Sequence, residues 1–276
     1  MPSRYCYRPM ATLVPSRLRI LLAICIALLQ AAPAVAEIHP YSALYSISRN
    51  GKLIGKVEVS LQPENGGWAI KSELRGTHGL AKLLRARDTE HVSGQLLEGR
   101  FLPENYTRHT RVASIDDRWF ANFDWDAGQV SVIHDKDDPI VMDLVGESLD
   151  PLSLKLEMRR RLSLPEPDLR FHMVEEDEID EQNFRILRSE WLETSLGCLE
   201  TVPVEKIRFN SKRYTRAWHA PELAYIEVRM EHGKTGGDHL EMRITELALG
   251  DLKITPRPGC SSKQRMSSPE SISEDK

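Results

Sequence analysis

Apolar and polar side chains alternate along most of this chain, and a period of two restricts it to strands with one buried face. Tyr41, Ala43, Tyr45 and Ile47 alternate with smaller or polar neighbours, and the pattern resumes from Ile54 to Leu61. Between them stands Asn50-Gly51, a pair that accepts the positive φ angles of a tight hairpin turn. Val57, Val59 and Leu61 against Glu58 and Ser60 give one dry and one wet face. Asn65-Gly66 turns the chain again into a strand from Trp68 to Leu74. Further strand signals lie at 91–94, 99–106, 118–124 and 129–133, the last two joined by an Asx and Gly turn at 124–128. Beyond Pro165 they recur at 169–174, 184–194, 199–207, 214–219, 224–231 and 239–247.

Two segments break the alternation. Gly79 to Leu84 is an apolar patch that reads as a short helix or hydrophobic loop over one end of the sheet, or as a loop that gates a ligand or touches a membrane. Asp150 is an N-cap residue followed by Pro151 at the first helical position, and Leu152, Leu154, Leu156, Met158 and Leu162 form an apolar stripe. Arg159, Arg160 and Arg161 fit a solvated C-terminal end, where the helix dipole favours cations. The expected fold is mainly β: an antiparallel meander curling into an open or closed barrel, with one amphipathic helix, about 151–162, packed against it.

Residues 1–36 combine Arg4, Arg8, Arg17 and Arg19 with an apolar run from Ile20 to Leu29 and the exit Ala34-Val35-Ala36. This is the layout of a secretory signal peptide cleaved after Ala36, and the apolar run is about half of the ~20 residues that span a bilayer. The expected organisation is a signal peptide at 1–36, one β-rich domain at 37–250 and a disordered tail at 251–276, in an exported protein with no stable transmembrane anchor. Cleavage takes the formal charge from -4 to -8, with 33 basic against 41 acidic residues. An acidic surface of this kind disfavours nucleic acid as a partner. Cys198 and Cys260 remain; an oxidising compartment lets them pair, whereas the turn around one and the polar tail around the other argue for their staying apart.

Motifs that carry chemistry are missing. The histidines show no helical i, i+4 pair and no Cys-x-x-Cys supports them, so no metal site and no cofactor is expected. His134 to Asp138 resembles part of a calcium loop without its central Gly and closing Glu, and reads as a hairpin turn. No G-x-S-x-G elbow, phosphate-cradling loop or triad is present, and no catalytic residue is assigned.

The stretches WLETSLGCLETVPV at 191–204 and RAWHAPELAYIEVR at 216–229 resemble the closing hairpins of the bacterial exported family called domain of unknown function 3108. Tyr41 to Tyr45 with Asn50-Gly51 resembles its opening hairpin, and Leu102 to Tyr106, Phe123-Asp124 and Asp150 to Ser153 resemble its middle. The likeness runs from about Tyr41 to Leu249. Glu227 stands where that family usually has proline, and Cys198 where it usually has another residue. The resemblance implies a periplasmic β-rich protein and carries over no catalytic residue.

The leading functional expectation is a binding or carrier protein for an apolar or amphiphilic envelope molecule, such as a lipid. Trp68, Leu80, Leu83, Leu84, Trp119, Phe123, Leu152, Leu156 and Trp218 are the residues expected to line its binding space. A scaffold that binds another envelope protein is the alternative, and a hydrolase acting on envelope polymer stands third.

Overall fold

A computed structural model describes residues 39–209, 211–255, 257–262 and 264. The expected signal peptide, and the expected tail beyond 264, lie outside the described residues.

The N-terminal half is a meander of β1 (Tyr41–Arg49), β2 (Lys52–Glu64), β3 (Gly67–Gly76), β4 (Arg87–Leu97), β5 (Arg100–Val112), β6 (Ile115–Asp124), β7 (Gln129–His134) and β8 (Ile140–Asp143). A short helix α1 (Gly79–Leu83) bridges β3 and β4. Each strand pairs antiparallel with the next. Asn50 and Gly51 take φ of 49° and 73° at the first hairpin, the left-handed conformation that only such residues adopt at low cost.

The second half begins with β9 (Ser148–Leu149) and the helix α2 (Pro151–Leu162). The strands β10 (Arg170–Val174), β11 (Ile179–Ile186), β12 (Glu190–Thr194), β13 (Gly197–Lys206), β14 (Arg213–Ala220), β15 (Ile226–Lys234), β16 (His239–Leu249) and β17 (Leu252–Lys253) follow. The sheet joins the halves by pairing β1 with β16, from Tyr41 opposite Leu249 to Arg49 opposite Leu240. From β16 it runs back through β15 and β14 to β13. One half of β13 pairs with β12 and the other with β11, so the single alternating run at 184–194 is broken into two strands. β11 carries β10, and β10 takes β9 in parallel. The ladder does not close: it ends at β8 on one side and β9 on the other.

The concave face is filled from one end. Trp68, Ile70, Val92, Tyr106, Trp119, Phe123 and Val130 point into one cluster, and Leu152 and Leu156 of α2 enter the same cluster. Met158 and Leu162, with Leu149, Leu169, Phe171 and Val204, form a second, smaller cluster. Helix α2 therefore lies across the inside of the curled sheet, packed on β3, β4, β5, β9 and β10. Asp150 caps it by accepting from the Leu152 and Ser153 amides at 2.8 and 3.1 Å. Glu157 is fully buried beside Leu156 and ties the helix to the sheet, accepting from the Phe101 amide at 2.7 Å and from Arg160 Nε at 2.7 Å.

Three expectations are corrected. The arginine triplet is not a solvated end. Arg159 lies 4.6 Å over the Tyr41 ring, and Arg161 lies 4.3 Å over Phe171 while donating to the carbonyls of Asp168 and Arg170. Cys198 and Cys260 do pair in a disulfide. The start of the tail, expected to be disordered from 251, is held: β17 pairs with β16, Arg257 N donates to Leu196 O, and Cys198 N donates to Pro258 O. These backbone bonds lay the tail against the β12–β13 turn and bring the two thiols together.

Candidate functional site

Inward positions change character toward the end of the sheet where β1 turns into β2. Trp68 and Ile70 fill the deep part of β3, but the next residues on that face are Ser72, Leu74 and Gly76. On β4 the inward residues before Val92 are Asp88 and Glu90, and on β15 those after Val228 are Met230 and His232. Less bulk leaves a cavity of about 390 Å³. Ile47, Ile54, Val57, Met230 and Met242 give it apolar walls. The volume falls within the range of small-molecule sites and equals roughly a dozen water molecules at ~30 Å³ each.

The floor is polar. Lys155 of α2 has its ammonium 3.8 Å from Glu227 Oε1, and 37% of its side chain stays open to the cavity. The Glu227 charge, and then that of Glu90, hold the Lys155 pKa above its ordinary value. Glu90 accepts from the Tyr106 hydroxyl at 2.8 Å, and burial with that carboxylate pushes the Tyr106 pKa up. Asp88 is held by Arg108 at 3.1 Å and Thr110 at 2.7 Å, and Glu241 by Arg229 and Arg243 at 2.8 and 2.7 Å. Lys155, a donor, and the second oxygen of Glu90, an acceptor, thus keep bonding capacity toward the cavity, beside the Ser72 hydroxyl and His232 Nε2 that also line it.

Helix α1 stands over the mouth. Ala81 lines the cavity, and a Cβ on Gly76 would meet the Ala81 carbonyl at 2.5 Å, so glycine is what lets the helix sit this close. The amides of Thr77 and His78 both donate to Ile54 O, and Ala113 N donates to Leu84 O. These bonds stretch the segment from the start of β2 to the β5–β6 turn.

None of the nine residues expected to line a binding space lines this cavity. Trp68, Trp119, Phe123, Leu152, Leu156 and Trp218 are in the main core, and Leu84 is half-buried. Leu80 and Leu83 point outward at 67% and 76% exposure. The lining residues that sequence reasoning missed, Ser72, Asp88, Glu90 and His232, had a signal: small or polar types at inward register positions.

Asp117, His134 and Asp135 place three possible ligand atoms within 4.8 Å of one another. His134 Nε2 is 2.5 Å from Asp117 Oδ1, a contact that raises the imidazole pKa, and Asp135 accepts from the Arg118 amide at 2.8 Å. Hydrogen bonding accounts for this group without an ion.

Among solved structures, the β-barrel-like protein of domain of unknown function DUF1849 from Brucella abortus aligns over 78% of this chain and 99% of its own, with a TM-score of 0.53 and 9% identity. That likeness is one of fold. A protein provisionally described as a lipoprotein, from Parabacteroides distasonis, aligns over 76% of this chain and 96% of its own at a TM-score of 0.33 and 11% identity. One with a YmcC-like fold from Bacteroides fragilis, provisionally described as exported, aligns over 77% and 97% at a TM-score of 0.33 and 10% identity. No curated protein matches the chain in sequence. The sequence profile of DUF3108, a protein of unknown function, matches residues 43–245, and the chain belongs to that family.

Proposed function

We propose that this protein binds an amphiphilic envelope molecule, with its apolar part between β1–β4 and β15–β16 and its polar group against Lys155 and Glu90. The observation that carries this reading is the cavity itself: apolar walls, about 390 Å³, over a floor that offers the Lys155 ammonium and the Glu90 carboxylate. A polar group able both to accept from Lys155 and to donate to Glu90 meets that floor. The Cys198–Cys260 disulfide supports an oxidising, extracytoplasmic compartment, as does the signal-like sequence at 1–36. Among the described residues no helix is long and apolar enough to cross a membrane.

The scaffold reading has less to stand on. The strand edge left at β8 is four residues long, and short edges resist strand addition.

Native mass spectrometry of the protein as purified from cells, followed by titration with the fluorescent fatty acid parinaric acid, tests the binding reading. Retained small-molecule adducts or saturable uptake of one equivalent are expected. A bare mass with no uptake overturns the proposal. Ser72→Trp should block uptake by filling the cavity. Lys155→Met combined with Glu227→Gln removes the cation without stranding its partner, and should weaken uptake about tenfold if a charge-assisted bond to the polar group is lost.

A further inference from the structure

We propose that the mouth of the cavity docks on an anionic lipid bilayer, with α1 as the inserted edge. The inference rests on the cavity taking an amphiphile, and supplies the surface from which that molecule is drawn.

Hydrogen bonds assemble the rim from separate turns. Thr235 N donates to Lys212 O, joining the β15–β16 turn to the β13–β14 loop. Asn50 N donates to His239 O, joining the β1–β2 turn to the same hairpin. The bonds to Ile54 and from Ala113 then carry the rim through α1 to the β5–β6 turn. Beside the β1–β2, β5–β6 and β13–β14 turns and on α1, apolar side chains face solvent: Leu53 at 45% exposure, Leu80 at 67%, Leu83 at 76%, Ile115 at 59% and Phe209 at 87%. Exposed apolar groups scattered singly are ordinary; a set arranged around one opening marks an interaction surface.

Charge selects the partner. Lys52, Lys82, Arg85 and Arg111 stand exposed among these residues, and none forms an ion pair among the described residues. The rim carboxylates beside them are engaged, Asp238 by Arg49 and Asp116 by Arg118 and His109. The rim is therefore cationic on a chain whose net charge is negative. Apolar side chains interspersed with unpaired Lys and Arg suit a membrane carrying anionic lipid, where each cation near the surface adds about 1 kcal/mol. Across the opening, the loop between β10 and β11 carries Glu175, Glu176, Asp177 and Glu178, with Glu176 3.9 Å from His134. An anionic surface repels that side, so the molecule leans on α1 and holds the mouth at an angle to the bilayer.

Sedimentation of the purified protein with phosphatidylcholine vesicles, with and without phosphatidylglycerol, reads the docking directly. Binding is expected only with phosphatidylglycerol, and should fall as salt shortens the Debye length. Lys82→Gln with Arg85→Gln should weaken it about 25-fold, fivefold for each cation removed. Leu80→Ser with Leu83→Ser should weaken it about tenfold or more through lost apolar insertion. Both pairs are exposed, and unchanged melting curves will confirm intact folds. No binding by the wild type, or binding that neither pair weakens, overturns the proposal. A dimer that the leucine pair dissociates, with no vesicle binding, also overturns it by assigning the patch to contact between copies. Parinaric acid uptake from solution by the same variants is read separately, so vesicle docking can fail while cavity binding stands.

Discussion

Asp150 serves two roles that pull its proton in opposite directions. As the cap of α2 it accepts from two backbone amides and from the Ser153 hydroxyl, all of which favour the carboxylate. Burial opposes them and is the larger effect, with the Glu90 charge adding to it, so its pKa is pushed up to about 6 from 3.8. A raised folded-state pKa means that the stability from this group is complete below about pH 4 and is lost as pH climbs through about 6. Asn caps helices as well as Asp does, so Asp150→Asn keeps the cap and removes the charge. Urea unfolding should find wild type losing about 2 kcal/mol relative to this variant between pH 4 and pH 7. Glu227 and Cys198 each make a tie in this structure, one to Lys155 and the other to Cys260. The sequence left the cysteine pairing open and gave no sign of the Lys155 tie, because a partner 62 residues away in the tail, or on a helix across the sheet, leaves no mark on local periodicity.

Hairpins and the longer helix were the most legible elements, since their determinants are local. Asn50-Gly51 and Asn65-Gly66 demand positive φ, and Asp150-Pro151 starts a helix whatever surrounds it. The break at 187–189 was not legible, because alternation continues across it and what separates β11 from β12 is the length of β13 that each one pairs with. The cavity was misplaced for a different reason. Large aromatic residues were expected to line it, yet Trp68 and Trp119 fill space, and the cavity opens where Ser72 and Gly76 leave space unfilled. Helix α2 supplies its floor and depends on packing to do so. Leu156→Ala removes a side chain that is 1% exposed in the main core, and should lower the unfolding free energy by about 2–5 kcal/mol in a denaturant titration.

Across the whole molecule, the disulfide closes a loop of 62 residues that contains β14, β15 and β16. By loop-closure entropy such a bond stabilises by about 4 kcal/mol at most, so Cys198→Ser with Cys260→Ser should lower the urea midpoint as much as reduction of the wild type does. A variant more stable than the reduced protein would contradict this. The seam between β1 and β16 has another consequence. Thr245 donates to the Leu44 carbonyl across 201 residues of chain, and the whole β1–β16 ladder spans a comparable separation. Contacts that distant form late, whereas the meander from β1 to β8 needs only neighbours. A ribosome finishes β1 long before β16 exists, so the nascent sheet presents a nine-residue strand with one edge unpaired. Until its own C-terminal hairpin arrives, that edge stays open to pairing with another molecule, so the last hairpin made is the one that seals the first strand.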